Sequence, residues 1–142
     1  MDEGEGPLWI PTLLAAEVRH GIPTHLLCRL AYQESRFRSD IITCRVKSPV
    51  GATGMMQLMP KFFPAAGKDT TADIETAAQL LANLYKRFHD WQTAVAAYNC
   101  GGGHMDQVLK GEKTMPLETR NYVAQIFDDV PIPSSLSATL NA

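Results

Sequence analysis

The chain has no excess of charge of either sign: thirteen Lys and Arg stand against fifteen Asp and Glu, with no long block of one kind. It therefore lacks the basic stripe with which proteins neutralise nucleic acid or an anionic membrane surface, and no nucleic-acid partner is expected. Long apolar runs are missing too. Nothing approaches the roughly 20 consecutive apolar residues that span a bilayer, so membrane insertion is not expected. Cys28, Cys44 and Cys100 are odd in number and form no C-x-x-C pair, which argues against a disulfide framework and a thiolate zinc site; one bridge, Cys44 to Cys100, stays open. His20, His25, His89 and His104 lack H-E-x-x-H or related spacing, and no G-x-S-x-G elbow marks a serine nucleophile. The histidines read as surface or capping residues, with no metal and no cofactor implied. The N-terminus MDEGEGPLWIP is acidic where a secretory signal is basic, and LWIPTLLAAEV is short and broken by Pro11, so no signal peptide is expected.

What is present is a chain of 142 residues, 45% apolar, about the size of one domain and long enough to bury a core. Residues 1–142 read as a single, monomeric, mainly α domain. WIPTLLAAEVRHG places Leu13, Leu14 and Val18 on one helical face and stops at Gly21, the residue that best tolerates a left-handed cap. Pro23 suits the first turn of a second helix, PTHLLCRLAYQESRF. RSDIITCRVKSPVGATGMMQLMP reads as a long loop leading into one or two short helical turns. DIETAAQLLANLYKRF is the clearest helix, with Asp73 as its N-cap and Ile74, Ala77, Ala78, Leu81, Tyr85 and Phe88 at helical period. Asp90 can cap WQTAVAAYNCG, HMDQVLKG closes on Gly111, and PLETRNYVAQIF is the last helix before a frayed tail, 131–142.

One carboxylate is out of place. The stripe of Leu27, Leu30 and Ala31 runs into Glu34, and charged side chains rarely face a core. A helix C-terminus and an apolar surrounding both oppose ionisation, so the pKa of Glu34 is expected to rise, as suits a general acid. Spacing alone equally allows a salt bridge to Arg29, Arg36 or Arg38.

Four motifs bear on that choice. ES at Glu34 and Ser35, GATGMMQLMP from Gly51, AAYNCG from Ala96 and ETRNYV from Glu118 occur in this order. Together they resemble the soluble lytic transglycosylases, relatives of goose-type lysozyme that cut the glycan strands of bacterial peptidoglycan, over roughly residues 20 to 127. The resemblance implies a lysozyme-like fold with a catalytic groove and peptidoglycan glycan strands as the binding partner. It makes Glu34 the catalytic acid and base, with Ser35 as a polar contact to substrate. Gln57 faces the glycan, Gly54 permits close backbone approach, and Met56 offers an apolar surface to a sugar ring or else is a buried core residue. Tyr98 and Asn99 border the cleft. The hydroxyl of Tyr122 lies close to the glutamate, and Glu118, one turn earlier, points inward with it or is a surface charge.

The sequence departs from the family pattern in three places, one being Ala77 or Ala78 where the pattern has a glycine. The stretch from Glu34 to Gln57 is longer, so DIITCRVK reads as an enlarged loop, and an Asn-Ile pattern ahead of the long helix is here Asp73-Ile74. Retaining glycosidases need a second carboxylate about 5 Å from the acid, and inverting ones a base about 6.5–9.5 Å away. Apart from Glu118, the matched motifs hold none. The family instead lets the muramic acid C6 hydroxyl attack C1, giving a 1,6-anhydro sugar. The alternatives are a lysozyme that uses water with Asp40 as base, and a non-catalytic wall-binding or virion structural domain. Synthesis in the bacterial cytoplasm without a signal peptide, with action on the wall, suggests a phage endolysin or virion component, or a part of a secretion or conjugation system.

Overall fold

The computed structural model describes residues 5–132, so the expected fraying of the tail lies almost wholly outside it. Seven helices are formed among the described residues: α1 Gly6–His20, α2 Leu26–Ser35, α3 Ser39–Ile42, α4 Thr70–Phe88, α5 Trp91–Cys100, α6 Gly102–Leu109 and α7 Leu117–Asp129. Extended pairing among these residues is confined to an isolated antiparallel bridge between Thr53 and Leu58. The chain is mainly α, as its periodicity predicts. Two compact units are resolved, Met1–Gln79 and Leu80–Ala142.

In the first unit, α1 ends where Gly21 adopts φ 66° and its amide reaches back to the carbonyls of Glu17 and Val18. Pro11 does not break this helix. It sits one turn inside, where a missing amide removes one hydrogen bond, and the helix continues on both sides. The buried face also differs from the expected one. Val18 is 83% exposed, whereas Leu13, Ala16 and Glu17 are buried. Leu14 and Val18 do share a stripe four residues apart, but the adjacent stripe faces the core. At the far end of α1, His20 Nε2 lies 2.9 Å from Glu75 of α4 and Arg19 3.3 Å from it.

Helix α2 packs against α1. It starts at Leu26 and not at Pro23, which lies in the preceding turn and accepts the Leu26 amide. The N-cap residue is His25, in the left-handed conformation at φ 74°, and its side chain does no capping. The caps come from Glu17. Its carboxylate, 2% exposed, accepts the amides of His25 at 2.8 Å, Leu27 at 2.9 Å and Cys28 at 3.1 Å. Leu26, Leu27 and Leu30 are fully buried, each contributing about 1.5–3 kcal/mol of hydrophobic stabilisation. The long loop opens on the short α3 and ends in a helical turn, where the Phe63 amide reaches the Met59 carbonyl. Asp73 is not the cap of α4. Asp69 is, its carboxylate accepting the Ala72 amide at 3.1 Å, while Asp73 lies one turn inside and is 4% exposed.

In the second unit Asp90 caps α5 as expected, accepting from the Thr93 amide at 2.9 Å and hydroxyl at 2.7 Å. Tyr85 and Trp91 stack with ring centroids 4.0 Å apart. Gly101, at φ 93°, turns the chain from α5 into α6, and α5 packs against both α6 and α7. Arg87 of α4 pairs with Asp106 of α6. Cys28, Cys44 and Cys100 are all free thiols, so the bridge left open by the sequence is not formed.

Candidate active site

Glu34 is the penultimate residue of α2 and is partly exposed, while its neighbours Leu30, Ala31 and Ser35 are buried. The carboxylate thus stands at the margin of a packed face. The backbone after it is unusual: Arg36 and Phe37 both have φ 55°, two successive left-handed residues with side chains. Such conformations persist where the surroundings hold them. Phe37 is 7% exposed; its ring lies 5.8 Å from that of Tyr32, and a Cβ added to Gly6 would come within 3.1 Å of it. Burial of one aromatic ring therefore fixes the sharp end of the helix that carries Glu34. The guanidinium of Arg36 lies 4.8 Å from the Tyr32 centroid, and that of Arg38 pairs with Asp40 at 2.6 Å.

Two residues expected to meet substrate do not face outward. Ser35 is fully buried, its hydroxyl donating to the Ala31 carbonyl at 3.0 Å and accepting the Phe37 amide at 3.3 Å. It braces the end of α2, and both its hydrogen bonds are spent on the backbone there. Met56 is likewise 0% exposed, a core side chain that presents no apolar surface outward. A polar or apolar side chain beside a candidate acid can serve the backbone there, and residue type does not tell the two uses apart.

Gln57 is partly exposed and closes the turn that begins at Gly54. Its φ is 52°; both its amide, at 3.2 Å, and its side-chain Nε2, at 2.8 Å, donate to the Gly54 carbonyl. Thr53 and Leu58 pair across the base of this turn through 3.0 and 3.1 Å bonds. Gly54, at φ 78°, is buried against protein: a Cβ there would lie 2.7 Å from Asp73 Oδ2. The close approach it permits is to a carboxylate of its own chain.

The remaining candidates belong to the second unit. Tyr98 and Asn99 are in the last turn of α5, both partly exposed. Asn99 Oδ1 accepts a 2.7 Å hydrogen bond from Thr119, a residue 1% exposed that the sequence did not single out. Tyr122 lies one turn beyond Thr119 on α7 and is 7% exposed. The α5–α7 contact thus brings Tyr98, Asn99 and Tyr122 to one region. Glu118 is exposed and does not point inward with Tyr122; in the first turn of α7 it complements the helix dipole. Asp40, the alternative base, spends Oδ2 on Arg38, while its Oδ1 is buried without a hydrogen-bond partner. Among the described residues no group of three His, Cys, Asp or Glu could hold a metal ion, and no helix is long and apolar enough to cross a membrane.

The profile of the transglycosylase SLT domain family matches residues 11–121, and the chain belongs to that family. It is 33% identical over 110 residues to a transglycosylase of Enterobacteria phage PRD1, an alignment covering 75% of this chain and 38% of the phage protein. It is 30% identical over 132 residues to the soluble lytic murein transglycosylase of Escherichia coli K12, covering 75% of this chain and 20% of that one. The crystal structure of an inactive mutant of the lytic transglycosylase Slt from Pseudomonas aeruginosa superposes with a TM-score of 0.62 at 25% identity, over 87% of this chain and 24% of that one. The helical fold is thus of the lysozyme-like kind that the sequence resemblance implied. The chain spans well under half the length of each of these relatives.

Proposed function

We propose that the chain is a peptidoglycan lytic transglycosylase that cleaves the β-1,4 bond between N-acetylmuramic acid and N-acetylglucosamine, with Glu34 as its single acid and base. The observation that carries this reading is the setting of Glu34: within the matched family span, it is a partly exposed carboxylate on the last turn of a buried helix, followed by a backbone turn locked by Phe37. Glu34 protonates the glycosidic oxygen as that bond breaks, then takes the proton of the C6 hydroxyl as its oxygen attacks C1, and a 1,6-anhydro end results. No water is consumed, so no second carboxylate is required. Gln57 contacts the glycan in this reading, and Tyr98, Asn99 and Tyr122 are the candidate glycan contacts of the second unit, whereas Ser35 and Met56 support the first unit from within. The phage relative favours a phage setting, as an endolysin or virion component, and the enzyme acts as a monomer on the wall.

The test is clearance of a peptidoglycan suspension by the wild type and by Glu34→Gln. The variant keeps the size of the side chain and removes the transferable proton, so activity should fall by at least the ~10²–10⁴-fold that general acid–base catalysis contributes. Circular dichroism and binding to insoluble peptidoglycan should be unchanged. Near-normal clearance by Glu34→Gln would place the acid elsewhere.

A further inference from the structure

We propose that Asp73 is a positioning residue for Gln57, acting through Gly54; this rests on the reading above in which Gln57 faces the glycan. The family pattern only marks an Asn-Ile pair ahead of the long helix, and the sequence treats Asp73 as a helix cap. The structure gives its carboxylate a different task. It is 4% exposed and accepts the Gly67 amide on both oxygens, at 3.2 and 3.0 Å. Its Oδ2 also presses on Gly54, close enough that a methyl group there would lie 2.7 Å away.

Gly54 is the residue whose carbonyl holds both nitrogens of Gln57. The direction of that carbonyl depends on where the Gly54 peptide sits, and Asp73 walls it on one side. Gln57 itself is held in the left-handed region, which a residue with a side chain occupies only when its surroundings impose it. Gly67 completes the clamp. At φ 83° it wedges between Thr53 and Cys44, leaving room for no side chain: a Cβ would fall 2.4 Å from Thr53 Cγ2 and 2.6 Å from Cys44 Sγ. The Cys44 thiol donates to the Gly67 carbonyl at 3.5 Å, so the enlarged loop is fastened to the same point. One buried carboxylate thus ties the first turns of α4, the Gln57 turn and, through Gly67, the enlarged loop together, all within the first unit.

A double-mutant cycle tests this on the full chain, well below its melting temperature. Asp73→Ala should lower kcat/KM by about tenfold or more, the scale of a small displacement of a substrate-positioning group. Asp73→Asn, which keeps an acceptor for Gly67, should restore most of the activity. If Asp73 acts through Gln57, adding Asp73→Ala to Gln57→Ala should cost little more, because the two share one effect. Fully additive losses would overturn the proposal. A second readout needs no activity: in ¹⁵N-labelled protein without substrate, the Gln57 side-chain amide signals should move or broaden in Asp73→Ala and stay in place in Asp73→Asn. Asp73→Ser, too short to reach Gly54, serves if the alanine variant does not fold. An inactive wild type would defeat the proposed function alone, whereas unmoved Gln57 signals in the alanine or serine variant would defeat the clamp.

Discussion

Glu17 Oε2 accepts the backbone amide of Cys28 at 3.1 Å, a bond that spans eleven residues and joins the buried face of α1 to the first turn of α2. With the amides of His25 and Leu27, this makes Glu17 the N-terminal cap of the helix that carries Glu34. A carboxylate is suited to the place, since it meets unpaired amide donors and the positive end of the helix dipole together.

Glu17→Ala should therefore be among the most damaging single changes in the first unit. It strands buried amide donors, each costing about 1–3 kcal/mol, so a total loss of about 3 kcal/mol or more is expected. Urea denaturation measures it. A loss below about 1 kcal/mol would mean that water or a backbone rearrangement replaces the cap.

The same contact makes the Cys28 thiol inert. Burial first, then the nearby Glu17 charge and its hydrogen bond, push its pKa up from 9.0 to about 12. Only the thiolate reacts with alkylating reagents. In the folded protein at about pH 8, iodoacetamide should label Cys44 first, Cys100 more slowly because burial pushes its thiol up as well, and spare Cys28, which should become reactive only in denaturant. Peptide mass mapping distinguishes the three. Early labelling of Cys28 would contradict the packing of α1 on α2.

How far the sequence could be read follows from the range of each interaction. The Gly21 stop and the Asp90 cap are local: the residue that caps lies within three or four positions of the groups it caps, and both were legible. Glu17 was not, because its partners lie eight to eleven residues away and nothing in the pattern of α1 distinguishes its stripe from that of Val18. The exchange of Asp69 for Asp73 as the cap of α4 is a one-turn error between two acids of equal capping strength. Of the candidate site residues, the sequence placed Glu34 near the end of a helix, Gln57 in a turn, and Tyr98 and Tyr122 on helices, as observed. It could not say that Ser35 and Met56 face inward and Glu118 outward, since side-chain direction at a helix end depends on backbone turns such as Arg36–Phe37. Thr119, the partner of Asn99, carried no signal at all, being a common residue in a common position.

Asp73 gives a pH dependence with a definite sign. Burial raises its pKa above the ordinary 3.8, the Gly67 amide opposes that, and the Asp69 charge adds to it. A carboxyl that binds its proton more tightly in the folded state costs stability as pH rises through the folded value, and costs nothing below the unfolded one. Asp73→Asn cannot ionise. It should melt higher than the wild type at about pH 7, with the difference shrinking as pH falls toward about 4. Thermal melts across that range check it; a difference that does not vary with pH would show that Asp73 titrates as an ordinary surface acid.

The most direct test of the proposed chemistry is the mass of the products. In the proposed reading, intramolecular attack by the C6 hydroxyl gains from proximity that a free water molecule lacks, and Glu34 carries both proton transfers. A peptidoglycan digest examined by mass spectrometry should therefore contain chains ending in 1,6-anhydro-N-acetylmuramic acid. Products heavier by one water, with reducing ends, together with loss of activity in Asp40→Asn, would instead make the enzyme a hydrolase that uses Asp40 as its base.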